Sequence, residues 1–248
     1  MSGKSDVGEL IARILFFLVG VILLLISLPV RAILDSQRES AQMKRRDAIE
    51  LKARELGLKF RNKVTGYAGR FLFLDKLDKL NSGSDHRSLN ILSGEFDGRP
   101  VTAFDYYYII KGGVWWWAPS WVTHHYLSFI VLNLDARFPE LTIGAEGRGL
   151  FKRISEAFGG GDIDFDSHEF SRRFEVRSED KKFAYDFCNA QMMAFMLEQP
   201  VVDIEVEKDT LALGFDEQHN VPSIESHLRY LVKVRSLMPD YLFVGSES

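Results

Sequence analysis

A run of 17 residues without a charge, Ile14 to Val30 (ILFFLVGVILLLISLPV), lies between Arg13 and Arg31 and constrains this chain more than any other feature. Ile11, Ala12, Ala32, Ile33 and Leu34 extend its apolar character on both sides, and the two arginines can reach toward headgroups. About 20 apolar residues in a helix are needed to cross about 30 Å of hydrocarbon. The run therefore predicts one transmembrane helix over about residues 11–33. A cleaved signal peptide is the rival reading. Its apolar region usually spans about 7–15 residues and ends on an A-x-A-like site, which does not follow Pro29.

Charge is distributed unevenly around this segment. From Arg31 to Lys63 there are ten Lys/Arg against five Asp/Glu, a local excess of +5, while the residues before Arg31 balance to zero. With a net charge of −4, the chain beyond Lys63 carries −4 − 5 = −9. A basic collar and an acidic distal domain suit an anionic membrane surface and give no case for nucleic acid. Lys4 and Arg13 precede the run, whereas Arg31, Arg38, Lys44, Arg45 and Arg46 follow it. Positive residues stay on the cytoplasmic side. The expected topology is thus a single pass with the C-terminal domain cytoplasmic. Cys188 is the only cysteine, which excludes an intrachain disulfide and agrees with a reducing compartment. Its apolar surroundings (Phe183, Phe187, Met192, Phe195, Met196) predict a buried, inert thiol.

The division expected is an N-terminal segment (1–34), a charged helical stalk (35–57) and a domain (58–248) that could split near residue 146. The stalk lacks Gly and Pro, pairs Glu50 with Arg54, and ends at Gly57, a plausible cap. In the domain, Leu89–Phe96 and Val101–Ile110 flank Asp97-Gly98, a strong hairpin signal. Val122–Leu134 is apolar on both alternating faces and predicts a central strand, with a short one at Leu141–Ile143. A helix is expected at Gly149–Phe158, strands at Asp162–Phe165 and Phe174–Arg177, and a longer helix at Glu179–Glu198. Val201–Val206 and Thr210–Phe215 suggest a hairpin around Lys208-Asp209. A last helix would run from an N-cap at Ser223 to about Leu237. Without strict β-α-β alternation, the fold class is α+β: a transmembrane helix, a stalk, then antiparallel sheets packed with helices.

Four segments in order, LGLKF (56–60), RSLNILSGEFDGRPVTAFDYYY (87–108), FPELTIG (138–144) and GDIDFDSHEFSRRFEVRSED (161–180), carry a resemblance. The set N-x-L-x-G-x-x-x-G-x-x-V-x-x-F-D-Y, P-E, D-I-D-F and F-S resembles a family of uncharacterised bacterial membrane-anchored proteins, over roughly residues 50–240. The resemblance implies membrane anchoring and a bacterial origin, which sets the expected location as a bacterial inner membrane, single-pass, with the C-terminal domain cytoplasmic. It brings no activity and no functional residue.

Each candidate site has a plainer reading beside the functional one. Asp162, Asp164 and Asp166 alternate like the start of a calcium loop, but that loop needs Gly sixth and Glu twelfth, where Ser167 and Arg173 stand. A solvated strand edge with Ile163 and Phe165 inward is the expectation, and an irregular cation site with His168 and Glu169 the alternative. His124 and His125 would point to opposite faces of a strand and cannot easily share a metal. The glycine-rich stretches at 144–149 and 159–161 lack the order of a phosphate loop and read as turns. The tryptophans of Gly112–Trp121 stand out, because four large apolar rings are costly to leave in water. Trp115, Trp116, Trp117 and Trp121 either cap the sheet or form an interaction surface. No catalytic or cofactor-binding residue is assigned, and no cofactor. The function expected is a membrane-anchored noncatalytic cytoplasmic domain that binds a protein partner or the membrane surface. Its partners would be a lipid bilayer at residues 11–33 and an unidentified protein. The alternative is a membrane-tethered, metal-dependent hydrolase using Asp162–Glu169.

Overall fold

A computed structural model describes residues 3–64, 70–80, 83–113, 121–145, 150 and 161–244. Two compact units divide between Ala48 and Ile49. Helix α1 spans Gly3–Glu55 with Pro29 inside it. Among the described residues, no helix is long and apolar enough to cross a membrane. This corrects the expected location as a single-pass protein of the bacterial inner membrane with a cytoplasmic C-terminal domain. The uncharged run of 17 residues covers only about 26 Å of helix, short of the roughly 30 Å of hydrocarbon, and Arg13 and Arg31 close it at both ends.

The last turns of α1 belong to the second unit, where Ile49 and Ala53 are buried. The helix ends as the sequence implies. Gly57 takes φ +69°, its N–H donates to the Arg54 carbonyl, and the Leu58 N–H donates to the Ala53 carbonyl. That double closure satisfies carbonyls that the helix end would leave bare. Lys52 then donates to Glu225 at 2.9 Å.

The second unit is α+β, as expected: one antiparallel sheet with helices packed on it. Strands β1 (Lys59–Val64), β2 (Ser84–Phe96), β3 (Arg99–Gly112), β4 (Trp121–Ala145), β5 (Gly161–Asp162) and β6 (Phe174–Ser178) lie in the order β1-β2-β3-β4-β6-β5. Strand β7 (Asp203–Phe215) pairs with the other side of β4. The helices are α2 (Leu72–Leu80), α3 (His168–Arg173), α4 (Lys181–Phe187), α5 (Ala190–Glu198) and α6 (Ile224–Leu237). The predicted β2–β3 hairpin forms around Asp97 (φ +49°) and Gly98 (φ +74°), two successive left-handed residues that match the twist of the strands they join.

Alternation along β3 and β4 sorts the core into two faces. Val101, Ala103, Ile130, Leu132 and Leu134 point to one, packed with Phe187, Met192, Leu228 and Leu231 from α4, α5 and α6. Phe104, Tyr106, Phe129 and Val131 point to the other, covered by Phe73, Leu74 and Leu77 of α2. The ring centroids of Phe73 and Phe129 lie 5.1 Å apart, and those of Phe104 and Phe129 5.5 Å.

Several elements depart from the sequence expectation. Lys208-Asp209 is not a hairpin turn. Chain 203–215 is one strand along β4, and φ +53° at Lys208 marks an irregularity opposite the register shift between Asn133 and Leu141. Both strands bend together there. Leu141–Ile143 is likewise the far end of β4 rather than a separate strand. The helix expected over Glu179–Glu198 breaks at Cys188-Asn189, because the Asn189 side chain accepts from Gln191 N–H and Met192 N–H and starts a new helix. Ser223 makes no side-chain cap; a single 3₁₀ turn at Val221–Ser223 leads into α6 instead. The helix expected at Gly149–Phe158 lies outside the described residues, Leu150 excepted.

Candidate functional site

The Gly112/Trp121 end of the β3–β4 ladder carries the most exposed apolar strand residues among the described ones. Register runs from Tyr107↔Tyr126 to Gly112↔Trp121. Residues Trp121 to His124 are consecutively exposed, Trp121 at 54% and Val122 at 49%. Consecutive exposure on a strand means that both faces meet solvent there. Further along the same strand, Phe129 to Leu132 are all buried.

Trp121 is held in a defined pose. Its ring covers the backbone of Gly112, and a Cβ added at that glycine would fall 2.0 Å from the indole. Only glycine permits so close an approach. On the face opposite to Trp121, shared with Val122, the Tyr107 hydroxyl and His124 Nδ1 share a hydrogen bond of 2.8 Å, and the Tyr107 ring meets Tyr126 at 5.1 Å. Arg87 lies 5.8 Å over the Tyr107 ring, tied to Asp85. Burial, then the proximity of Tyr126 and Asp85, pushes the Tyr107 phenol above its ordinary range, so it stays protonated. On the Trp121 face His125 stacks on Tyr108 at 4.9 Å. His86 shares a 2.9 Å hydrogen bond with Tyr106. The two adjacent histidines thus project to opposite faces, as the strand period requires. Trp115, Trp116 and Trp117 lie outside the described residues. Residues 146–149, Gly159 and Gly160 do too, while Gly144 and Gly161 sit in strands.

The acidic segment takes the solvated form. Asp162, Asp164 and Asp166 are exposed and alternate with buried Ile163 and Phe165. Ser167 caps α3, so His168 and Glu169 fall in its first turn, both exposed. Among the described residues, no group of three or more His, Cys, Asp or Glu is placed to hold a metal. The arrangement lends no support to a metal-dependent hydrolase.

Three polar clusters were missed by sequence reasoning. The first contains the residue types of a serine hydrolase: Ser128, Asp105 and His219, all buried. Its hydrogen bonds run differently. Ser128 Oγ donates to Asp105 Oδ1 at 2.9 Å, Asn90 Nδ2 donates to Asp105 Oδ2 at 2.8 Å, and the backbone N–H of His219 donates to Ser128 Oγ at 2.8 Å. His219 Nε2 lies 3.5 Å from the Phe129 carbonyl. In a serine–histidine–aspartate triad the serine gives its proton to the imidazole. Here Ser128 gives it to a carboxylate, and the network ties β2, β3 and β4 to the chain after β7. Asn90 in N-x-L-x-G and Asp105 in F-D-Y were its visible signals.

In the second cluster Lys76 of α2 bridges Glu140 (2.5 Å) and Glu207 (2.8 Å), with Glu205 buried beside them at 1% exposure. Burial, reinforced by Glu207 and Glu140, drives the Glu205 carboxyl well above its usual range. The third is a cleft of about 390 Å³ at the end of β4 and β7, lined by Ala145, Val202, Asp203, Phe215 and Asp216. Burial raises Asp203 to about 6, with Asp216 adding to the rise, while backbone N–H groups of Leu150 and Ala145 oppose it.

No protein-family model matches the chain, and no curated protein matches it. The structural comparison does find a likeness: the crystal structure of the mycobacterial trehalose monomycolate transport factor A, TtfA. It matches at a TM-score of 0.52 and 12% identity, over 78% of this chain and 96% of that one. At that identity the likeness is one of fold, and this chain shares the α+β fold of TtfA.

Proposed function

We propose that this chain is a noncatalytic binding module that engages a protein partner through the Gly112/Trp121 end of the β3–β4 ladder, with Trp121 as its anchor. One observation carries the reading: a strand that is buried along its middle presents Trp121 and Val122 to solvent at its start. A large aromatic ring such as Trp121, with tyrosines nearby, is the residue type from which interface hot spots are built. One side of the indole rests against Gly112, which leaves the rest of the ring available to a partner. Tyr107, His124 and Tyr126 supply a polar rim on one face. The buried serine, aspartate and histidine are committed to holding strands together.

The test is a photo-crosslinking residue placed at Val122 in the full chain, in its native cell, with exposed Lys181 as the control position. Protein adducts at 122 that vanish on Trp121→Ala, with the melting curve unchanged, support the reading. Adducts equal at both positions, or none at 122, overturn it.

A further inference from the structure

The partner can be specified from the edges of the sheet. Among the described residues, β1, the start of β2, β5, β7 and Trp121–His125 of β4 each have a neighbouring strand on one side and none on the other. Natural sheets protect such edges with charge, because a bare edge is a template for another strand. Strand β1 has Lys59, Arg61 and Lys63; the start of β2 has Asp85 and Arg87; β5 is two residues long and includes Asp162; β7 has Asp203, Glu205, Glu207, Lys208 and Asp209. The segment Trp121-Val-Thr-His-His125 has no Asp, Glu, Lys or Arg.

We infer, resting on the binding reading above, that the free edge of β4 pairs antiparallel with the same edge of a second copy of this chain. The chain carries −4, so two copies repel as whole molecules, and an uncharged edge is where they can approach. The segment is also complementary to itself. In a two-fold pairing centred on Thr123, Trp121 lies opposite His125, Val122 opposite His124, and Thr123 opposite its own copy. Directly opposed residues share a face, so each pairing sets aromatic against aromatic, β-branched against aromatic, or threonine against threonine. These are pairs that stabilise antiparallel ladders. A two-fold contact requires this kind of self-match. The pairing would extend the sheet through β4 into a second sheet and cover the exposed Trp121 and Val122 from both sides.

Thr123 sits on the proposed axis, is exposed, and is outside both cores. Sedimentation of the purified full chain should show a dimer. Thr123→Lys places like charges opposite each other and should raise the dimer dissociation constant about tenfold or more. Thr123→Glu should do the same, and an equimolar mixture of the two variants should recover a heterodimer. A wild-type chain that sediments as a monomer overturns the inference, as does a dimer that Thr123→Lys leaves intact or a mixture that fails to associate. Heterologous adducts at Val122 from a monomeric chain would overturn self-pairing alone and leave the binding reading standing. Absence of both would overturn the two together.

Discussion

Asp203 offers a quantitative test of how this structure treats a buried charge. Its carboxyl rises from 3.8 to about 6 chiefly through burial, although the Leu150 and Ala145 N–H groups favour the ionised form. A raised acid binds its proton more tightly in the folded state than in the unfolded one. Below about pH 3 both states are protonated and the group is neutral to stability. As pH rises, the unfolded chain ionises first, so stability falls across the window from 3.8 to about 6 and levels off above it. At about 1.4 kcal/mol per tenfold change, the full loss is about 3 kcal/mol. Asp203→Asn keeps a carbonyl oxygen for the backbone donors and removes the charge. Urea unfolding of the variant and the native chain should therefore agree near about pH 3, and by pH 7 the variant should be more stable by about 3 kcal/mol. A difference that stays constant from pH 4 to 8 would refute the reasoning. So would a variant weaker at pH 7, because the carboxylate would then be stabilised by something that burial does not describe.

Three further outcomes follow from packing and capping. Phe129→Ala empties a fully buried site between Phe73 and Phe104 and should cost about 3–5 kcal/mol in urea unfolding. Asn189→Ala removes acceptors for Gln191 N–H and Met192 N–H and a donor to the Leu237 carbonyl. It should cost about 1–2 kcal/mol, with Asn189→Asp recovering the capping share. Cys188 is 2% exposed and burial pushes its thiol up, so a disulfide reagent should find no reactive thiol in the native chain and one after unfolding.

Local signals in the sequence were legible where local chemistry decides the structure. Asp97-Gly98 announces its hairpin because two successive left-handed residues are needed there. The apolar faces of Val122–Leu134 announce a strand, covered on both sides from Leu127 to Leu132, though its start from Val122 to His124 is exposed. Ile163 and Phe165 between exposed aspartates announce the edge. Lys208-Asp209 misled because a turn and a shared bend use the same residue types, and only the identity of the partner strand separates them. Asn189 inside an apolar helical run marked a restart, a meaning that depends on which N–H groups its side chain meets. The apolar run at 14–30 was long enough to suggest a spanning helix, but short of the bilayer core once its charged flanks are counted. The network around Asp105 showed two of its members in the N-x-L-x-G and F-D-Y motifs, but not that they meet Ser128 and His219. Asn90, Asp105, Ser128 and His219 are scattered across the chain, and nothing local says that they converge. The exposure of Trp121 likewise depends on where β7 stops pairing with β4.

Strand β4 has a temporal consequence. Its partners emerge in order along the chain: β3 before it, β6 later, and β7 last, with Ser128 opposite Phe215. A ribosome adds about 5–20 residues each second. The stretch from Ala145 to Phe215 therefore takes several seconds to appear, and throughout that time the long central strand has one flank occupied and the other bare. During those seconds Phe129, Val131, Leu132 and their neighbours are half-covered at best. The nascent chain is then at its most adhesive, toward chaperones as much as toward its own copies on the same message. Substitutions that weaken β7 should thus lower the yield of folded protein by more than their effect on the finished sheet, because the gap that they widen is one of time.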